Sequence, residues 1–262
     1  MIVTESDCAY LISAIDHASI EIMAIYGQRD KGAHLKEDGS PVTTADLLAN
    51  QLLVSALSRR WPQVPILSEE SVNTFLSSDR PSVYWAIDPL DGTKEFIQRN
   101  GEFTVNVALI KNGIPILGMI SAPAREQLYF GVVGKGLRKR QGMDWSAVVP
   151  LKQGFDITIT SASIKIAVSR SHPSDELHSW AMQYQSVKQI QMGSSLKFCL
   201  VAEGAADCYP RFGPTHIWDI AAGEAILRSV GGSVLRWPVE GLSGIQYSSP
   251  HYSVNPSFIA LA

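Results

Sequence analysis

Cysteine is scarce in this 262-residue chain: only Cys8, Cys199 and Cys208 occur. They form no C-x-x-C pair and, being odd in number, no complete disulfide set. The expectation is of reduced thiols, buried as small hydrophobes, in a cytoplasmic protein. An excess of basic residues is also missing. The 22 Lys+Arg against 25 Asp+Glu give a net charge of −3 and a pI near 6.1. No global positive field exists to attract nucleic acid, so none is expected as a partner, and an anionic ligand must be met by local cations or a metal ion. The N-terminus carries Glu5, Asp7 and Asp16 and lacks the basic start and apolar core of a signal peptide. No uninterrupted apolar run reaches membrane-spanning length. That argues against a transmembrane segment and leaves peripheral attachment open. Internal repeats and low-complexity tracts are absent as well.

What is present is a hydrophobic fraction of 45%, ordinary for a globular chain and sufficient for one large domain or two closely packed halves. One stretch organises the rest: Asp88-Pro89-Leu90-Asp91-Gly92-Thr93. It follows an apolar run over 83–87, which predicts a short buried strand ending at Asp88. Pro89 cannot continue a strand ladder, so a turn is expected there. Gly92 frees the backbone for a tight bend, and Thr93 opens a helical first turn. Two carboxylates, which suit a hard cation such as Mg²⁺, would then sit beside backbone N–H groups, which suit a phosphate. The same composition fits an ordinary surface turn, so the reading depends on what the rest of the chain supplies.

Periodicity predicts an amphipathic helix over 6–26, with Leu11, Ile15, Ala18, Ile22 and Ile25 as its stripe, Ser6 as N-cap and Gly27 just past its end. Residues 28–41 read as a polar loop. A second helix is expected over 44–60, with Thr44 as N-cap and Asp46 in the first turn. A strand at 64–67 leads into Ser68-Glu69-Glu70-Ser71. Beyond the acidic turn, 103–110, 114–121 and 128–133 read as an antiparallel meander with a hairpin turn at Asn112-Gly113. A soft boundary within 134–163 divides the chain into an α+β subdomain, 1–150, and an α/β subdomain, 151–262. In the second, strands at 164–168, 187–192, 207–209 and 233–237, the last taken as final, alternate with helices at 174–184, 193–203 and 219–230. This argues for mixed, partly parallel pairing.

Four acidic features fall at element ends: Asp46, Glu69-Glu70, Asp88 with Asp91, and Asp219 in Trp218-Asp219-Ile220-Ala221-Ala222-Gly223. Most acidic residues are merely solvated, but in α/β folds such ends gather into one crevice. Phosphoryl transfer is mainly positioning and charge neutralisation. Two cations about 4 Å apart can activate a water and stabilise the leaving oxygen. That chemistry needs several carboxylates and no nucleophilic side chain. Ser194, Ser195 and Cys199 therefore read as substrate contact, helix cap and core.

The segments DPLDGT, SEES and WDIAAG, in that order, resemble the signature of the inositol monophosphatase superfamily of Mg²⁺-dependent, lithium-sensitive phosphatases, over nearly the whole chain. The longer segments DPLDGTKEFIQRNGEFTVNVALI, GSSLKFCLVAEG and YPRFGPTHIWDIAAG resemble its CysQ branch, the 3′(2′),5′-bisphosphate nucleotidases. The resemblance implies a layered αβαβα sandwich, with an antiparallel-sheet N-terminal half, a mixed α/β C-terminal half and the site between them. It implies hydrolysis of adenosine 3′,5′-bisphosphate to AMP with two or three Mg²⁺ and a role in sulfate assimilation, and leaves open whether the related phosphosulfate is also cleaved. The place would be the cytoplasm, with peripheral attachment to the inner membrane left open.

By matching position, the resemblance implies that Glu69 binds the first metal, that Asp88 bridges both and that the Leu90 carbonyl completes the first site. Asp91 and Asp219 would bind the second metal. The Gly92 and Thr93 N–H groups would hold the phosphate. Thr93, paired with Asp46, would orient the attacking water, so that Asp46, Thr93 and Glu69 form the catalytic group. Glu70 would act behind these or at a third ion. Substrate would touch this set and, at its nucleotide end, Ser194, Lys197 and Arg211, with Lys94 and His172 as weaker candidates. His216 reads as structural, since hard Mg²⁺ prefers oxygen. Two competing readings are an inositol monophosphatase and a nucleotide-binding sensor without turnover. Lys94-Glu95 after the acidic turn and Gly193-Ser194-Ser195-Leu196-Lys197 argue against the first; only measured turnover excludes the second.

Overall fold

Helix α1 (Glu5–Tyr26) begins at Thr4, not Ser6. The Thr4 hydroxyl accepts the Asp7 N–H while the Asp7 carboxylate accepts the Thr4 N–H, a reciprocal cap that draws Ser6 into the helix. Gly27 follows the last turn but keeps right-handed helical angles. The expected stripe is buried. On length and composition alone this helix could cross a membrane, contrary to the sequence expectation, yet its stripe packs in the core against the sheet described below. The loop that follows holds a small antiparallel ladder of β1 (His34–Leu35) and β2 (Pro41–Val42). Helix α2 (Thr44–Arg60) is capped by Thr43, one residue before the expected Thr44, because the Asp46 carboxylate reaches back to the Thr43 N–H.

The computed structural model describes residues 3–37, 39–74, 81–149, 163–170, 174–238, 244–245, 247 and 254–261. The next elements are β3 (Ile66–Ser68), a 3₁₀ turn (Glu69–Thr74), β4 (Val83–Asp91), α3 (Thr93–Gln98), β5 (Thr104–Lys111), β6 (Ile114–Ala122), β7 (Gln127–Val132), β8 (Gly136–Gln141) and β9 (Asp144–Val148). These strands form one seven-stranded sheet in chain order, antiparallel except for the β3–β4 pair. Strand β4 does not end at Asp88: its pairing with β5 breaks between Asp88 and Asp91 and resumes at Asp91–Thr104, so Pro89 sits in a bulge. Asn112 and Gly113 both take positive φ (51° and 73°), as a tight hairpin turn requires. The proposed boundary region contributes β8 and β9, which extend the meander; residues 150–162 lie outside the described residues.

The second half supplies β10 (Ser163–Ser169), α4 (Asp175–Ala181), β11 (Ser186–Met192), α5 (Leu196–Ala202), β12 (Cys208–Arg211), α6 (Ile217–Ser229), β13 (Ser233–Arg236) and β14 (Phe258–Leu261). Strand β14 is additional to the expected set. It pairs antiparallel with both β12 and β13, far from it in sequence, which no local pattern announces. The five strands run in the order β11-β10-β12-β14-β13, with β10 parallel to both β11 and β12.

Three apolar clusters stack the layers. Helices α1 and α2 cover one face of the seven-stranded sheet. Helices α5 and α6 lie between the two sheets. The α4 residue Trp180 packs on the far face of the five-stranded sheet with Tyr184, Ile164 and Ile166. The result is an αβαβα sandwich. Helix α6, covered on all sides, is apolar around most of its circumference. Its small residues let it lie against the sheet: a Cβ on Gly118 of β6 would stand 2.2 Å from the Ala222 carbonyl oxygen.

Candidate active site

The end of β4, the 3₁₀ turn after β3 and the N-terminus of α6 open onto one cleft of about 540 Å³, and the buried N-terminus of α2 stands behind it through the Thr93–Asp46 hydrogen bond. Glu69, Asp88, Leu90, Asp91, Gly92, Thr93, Lys94, Ser194, Lys197, Arg211 and Asp219 all line it. Local structure explains each placement. The Asp88 side chain turns back on its own bulge, accepting the Leu90 N–H at 3.0 Å on Oδ1. Gly92, at φ 89°, lets the chain reverse into α3. Asp46 is third in α2, where its Oδ2 accepts the Thr43 hydroxyl (2.5 Å) and N–H (2.8 Å). Its Oδ1 then meets the Thr93 hydroxyl at 3.1 Å, joining residues 47 positions apart. Asp219 is third in α6, not its opener: its Oδ2 accepts the His216 N–H at 2.6 Å.

The carboxylates feel one another. Burial, then Glu69, Asp91, Asp219 and Asp46, push the Asp88 carboxyl well above its ordinary range. Burial pushes Glu69 up to about 7, with Asp219 and Glu70 adding to the shift and Lys36 opposing it. Burial likewise raises Asp46. Lys36, from the loop between β1 and β2, reaches both Glu69 (2.9 Å) and Glu70 (2.7 Å). Among the described residues no three acidic, imidazole or thiol groups are closed around one metal-sized point. The oxygens nonetheless fit cations: the donor set is oxygen-rich, and Asp88 Oδ2, Asp91 Oδ1 and Asp219 Oδ1 accept no hydrogen bond from a described residue. A divalent ion would relieve the repulsion from neighbouring carboxylates that adds to burial in raising the Asp88 and Glu69 carboxyls.

Asp91 is held more elaborately than its sequence context suggests. Its Oδ2 accepts from the Ser194 hydroxyl, the Ser195 N–H and the Ser195 hydroxyl, each at 2.7 Å, and from Asn106 at 3.3 Å. Ser195 stands at the N-cap of α5, but its hydroxyl serves Asp91 in place of capping the helix. Cys199 is core, as expected; Cys208 is also buried, whereas Cys8 is only half-buried, and all three are free thiols. Lys197 is 5% exposed, with its ammonium on the Met192 and Ser194 carbonyls and 5.1 Å from the Tyr209 ring centre. Arg211 gives Nη2 to the Pro214 carbonyl, while its buried Nε has no partner among the described residues. His216 stacks flat on Trp218, rings 4.7 Å apart. His172 lies outside the described residues.

Sequence reasoning passed over Lys36 and Asn106. Lys36 carries no local signal, being one lysine in a polar loop. Asn106 did carry one: a lone amide inside the apolar run 103–110, 1% exposed, needs a partner within the fold.

Comparison with known proteins agrees with this geometry. The model of the inositol monophosphatase family, a family of metal-dependent phosphatases, matches residues 5–256. The chain is 40% identical to the 3′(2′),5′-bisphosphate nucleotidase CysQ of Salmonella typhimurium over 243 residues, covering 92% of this chain and 94% of that one. It is 41% identical to the protein of the same name from Buchnera aphidicola over 242 residues, covering 92% and 88%. The crystal structure of CysQ from Bacteroides thetaiotaomicron superposes with a TM-score of 0.80 at 36% identity, covering 98% and 97% of the two chains. The family match spans every element from α1 through β13 and every acidic residue of the cleft, and so the chain belongs to the inositol monophosphatase family.

Proposed function

We propose that this protein hydrolyses adenosine 3′,5′-bisphosphate to AMP and inorganic phosphate with two or three Mg²⁺. The observation that carries the reading is the Thr93–Asp46 hydrogen bond at the rim of the carboxylate cleft, in a chain about 40% identical to proteins named for this activity. Glu69, Asp88, Asp91, Asp219 and the Leu90 carbonyl would hold the ions, which supply charge neutralisation and an activated water. Glu70 would serve behind them or at a third ion. The chain's own residues do the rest. Thr93 donates its proton to Asp46, so its oxygen lone pairs face the cleft and orient the water. The Gly92 and Thr93 N–H groups, free of intrahelical partners at the start of α3, hold the phosphate. Water attacks phosphorus, the bond to the 3′ oxygen breaks, and that oxygen takes up a proton.

Lys197 and Arg211 supply the cations for the second phosphate, and Ser194 and Lys94 line the same cleft. Residues 1–150 and 151–262 act as two subdomains of one catalytic domain. Lithium sensitivity, action on the related phosphosulfate, a role in sulfate assimilation, and a cytoplasmic place with peripheral attachment to the inner membrane rest on the family resemblance alone. The test is phosphate release from adenosine 3′,5′-bisphosphate, inositol monophosphate and fructose bisphosphate, with Mg²⁺ and with chelator. The bisphosphate nucleotide should have the highest kcat/KM, and chelator should abolish turnover. A preference for inositol monophosphate would replace this reading with the sibling activity, and no turnover of any substrate would favour a sensor.

A further inference from the structure

Glu102 lies in the turn between α3 and β5, outside the cleft, and is 6% exposed. Arg170 grips it as a fork, Nε to Oε2 at 3.0 Å and Nη2 to Oε1 at 2.8 Å. The Gly193 N–H donates to Oε2 at 2.8 Å, and Arg125 stands 3.5 Å from Oε1. Arg170 follows β10, Gly193 follows β11 and Arg125 follows β6. One buried carboxylate therefore ties the C-terminal ends of two parallel strands to the opposite sheet. The approach is close: a Cβ on Gly193 would stand 2.7 Å from the Glu102 carbonyl oxygen and 2.9 Å from the Glu95 Cγ. Any larger residue at 193 would force the corner away.

The two residues after Gly193 are those that saturate Asp91 Oδ2. Ser194 does so from the left-handed region, φ 55°, a conformation a serine holds only when its surroundings impose it. Lys197 closes the same corner from below through the Met192 and Ser194 carbonyls. The segment 193–195 is thus pinned by Glu102 at its first N–H and by Asp91 at its last.

We propose that Glu102 is a positioning residue for Asp91: by fixing the Gly193 N–H it sets the corner whose donors occupy Asp91 Oδ2 and leave Oδ1 for a divalent cation. This rests on the reading of Asp91 as a metal ligand. The test compares the full-length wild type with Glu102→Gln, Arg170→Gln and Asp91→Asn. Mn²⁺ binding is followed by calorimetry and by the spectrum of free Mn²⁺, and fold integrity by thermal unfolding. Glu102→Gln should weaken one Mn²⁺ site by roughly tenfold, on the scale of one lost charge-assisted contact. Arg170→Gln, altering a side chain that is 41% exposed, should shift the same site in the same direction without unfolding the chain. It decides the matter if Glu102→Gln does not fold. Asp91→Asn should lose that site. Unchanged Mn²⁺ affinity in Glu102→Gln and Arg170→Gln, with the site lost in Asp91→Asn, would make Glu102 a brace only and overturn the inference. Wild-type Mn²⁺ binding by Asp91→Asn would overturn the ligand reading beneath it.

Discussion

Thr93 and Asp46 come from different elements, and a single hydroxyl joins them at 3.1 Å. Removing that hydroxyl leaves the backbone N–H in place, so Thr93→Ala should lower kcat by about a hundredfold or more while KM changes little. Steady-state kinetics on the two proteins decides it; a raised KM with unchanged kcat would refute the water-orienting role. Lys197 gives a second residue-scale expectation. Burial, against the pull of Asp91, holds its ammonium down to about 8. Above that pH the lysine is neutral and the pocket has lost a cation, so KM for the nucleotide should rise as pH passes about 8 and stay flat in Lys197→Met. A wild-type KM constant from about pH 7 to about pH 9 would contradict this.

At this scale the gathering of the acidic residues was legible because each falls at the end of an element beside an apolar segment. Their orientations were not, because the groups that set them lie far along the chain. Ser194 and Ser195 reach Asp91 across more than a hundred positions, and Arg170 reaches Glu102 across 68.

Elements were legible where their cause is local. Helix α2 has its cap, its stripe and its stop within one window, and the β5–β6 turn needs only Asn112 and Gly113. The bounds moved by one or two residues where a carboxylate reached back to cap, as at Thr4 and Thr43. Strands β8, β9 and β14 were missed because their pairing partners supply the order. Strand β4 outran its proline because a bulge carries the chain past it. The packing of α6 on β6 makes its own prediction. Gly118→Ala would drive a methyl into the Ala222 carbonyl, at 2.2 Å unrelaxed. It should destabilise the fold by about 1–3 kcal/mol, as overpacked cores do. Urea unfolding measures it, and a variant as stable as wild type would mean the sheet and helix part freely.

Among the described residues, the two large sheets clasp α5 and α6 between them, and the cleft lies where both halves supply groups. The first half contributes Asp46, Glu69, Asp88, Asp91 and Thr93; the second contributes Ser194, Lys197, Arg211 and Asp219. A chain of net charge −3 that draws carboxylates together inside this cleft must neutralise them, and divalent cations do so while activating water. The most direct measurement is phosphate release from adenosine 3′,5′-bisphosphate at saturating Mg²⁺ by wild type and by Asp219→Asn. The asparagine oxygen can still accept the His216 N–H that the carboxylate now accepts, so circular dichroism and thermal unfolding should be unchanged. Turnover should fall by at least about a hundredfold, in line with the loss of one preorganised electrostatic group. A folded Asp219→Asn enzyme working at near-wild-type rate would contradict the account.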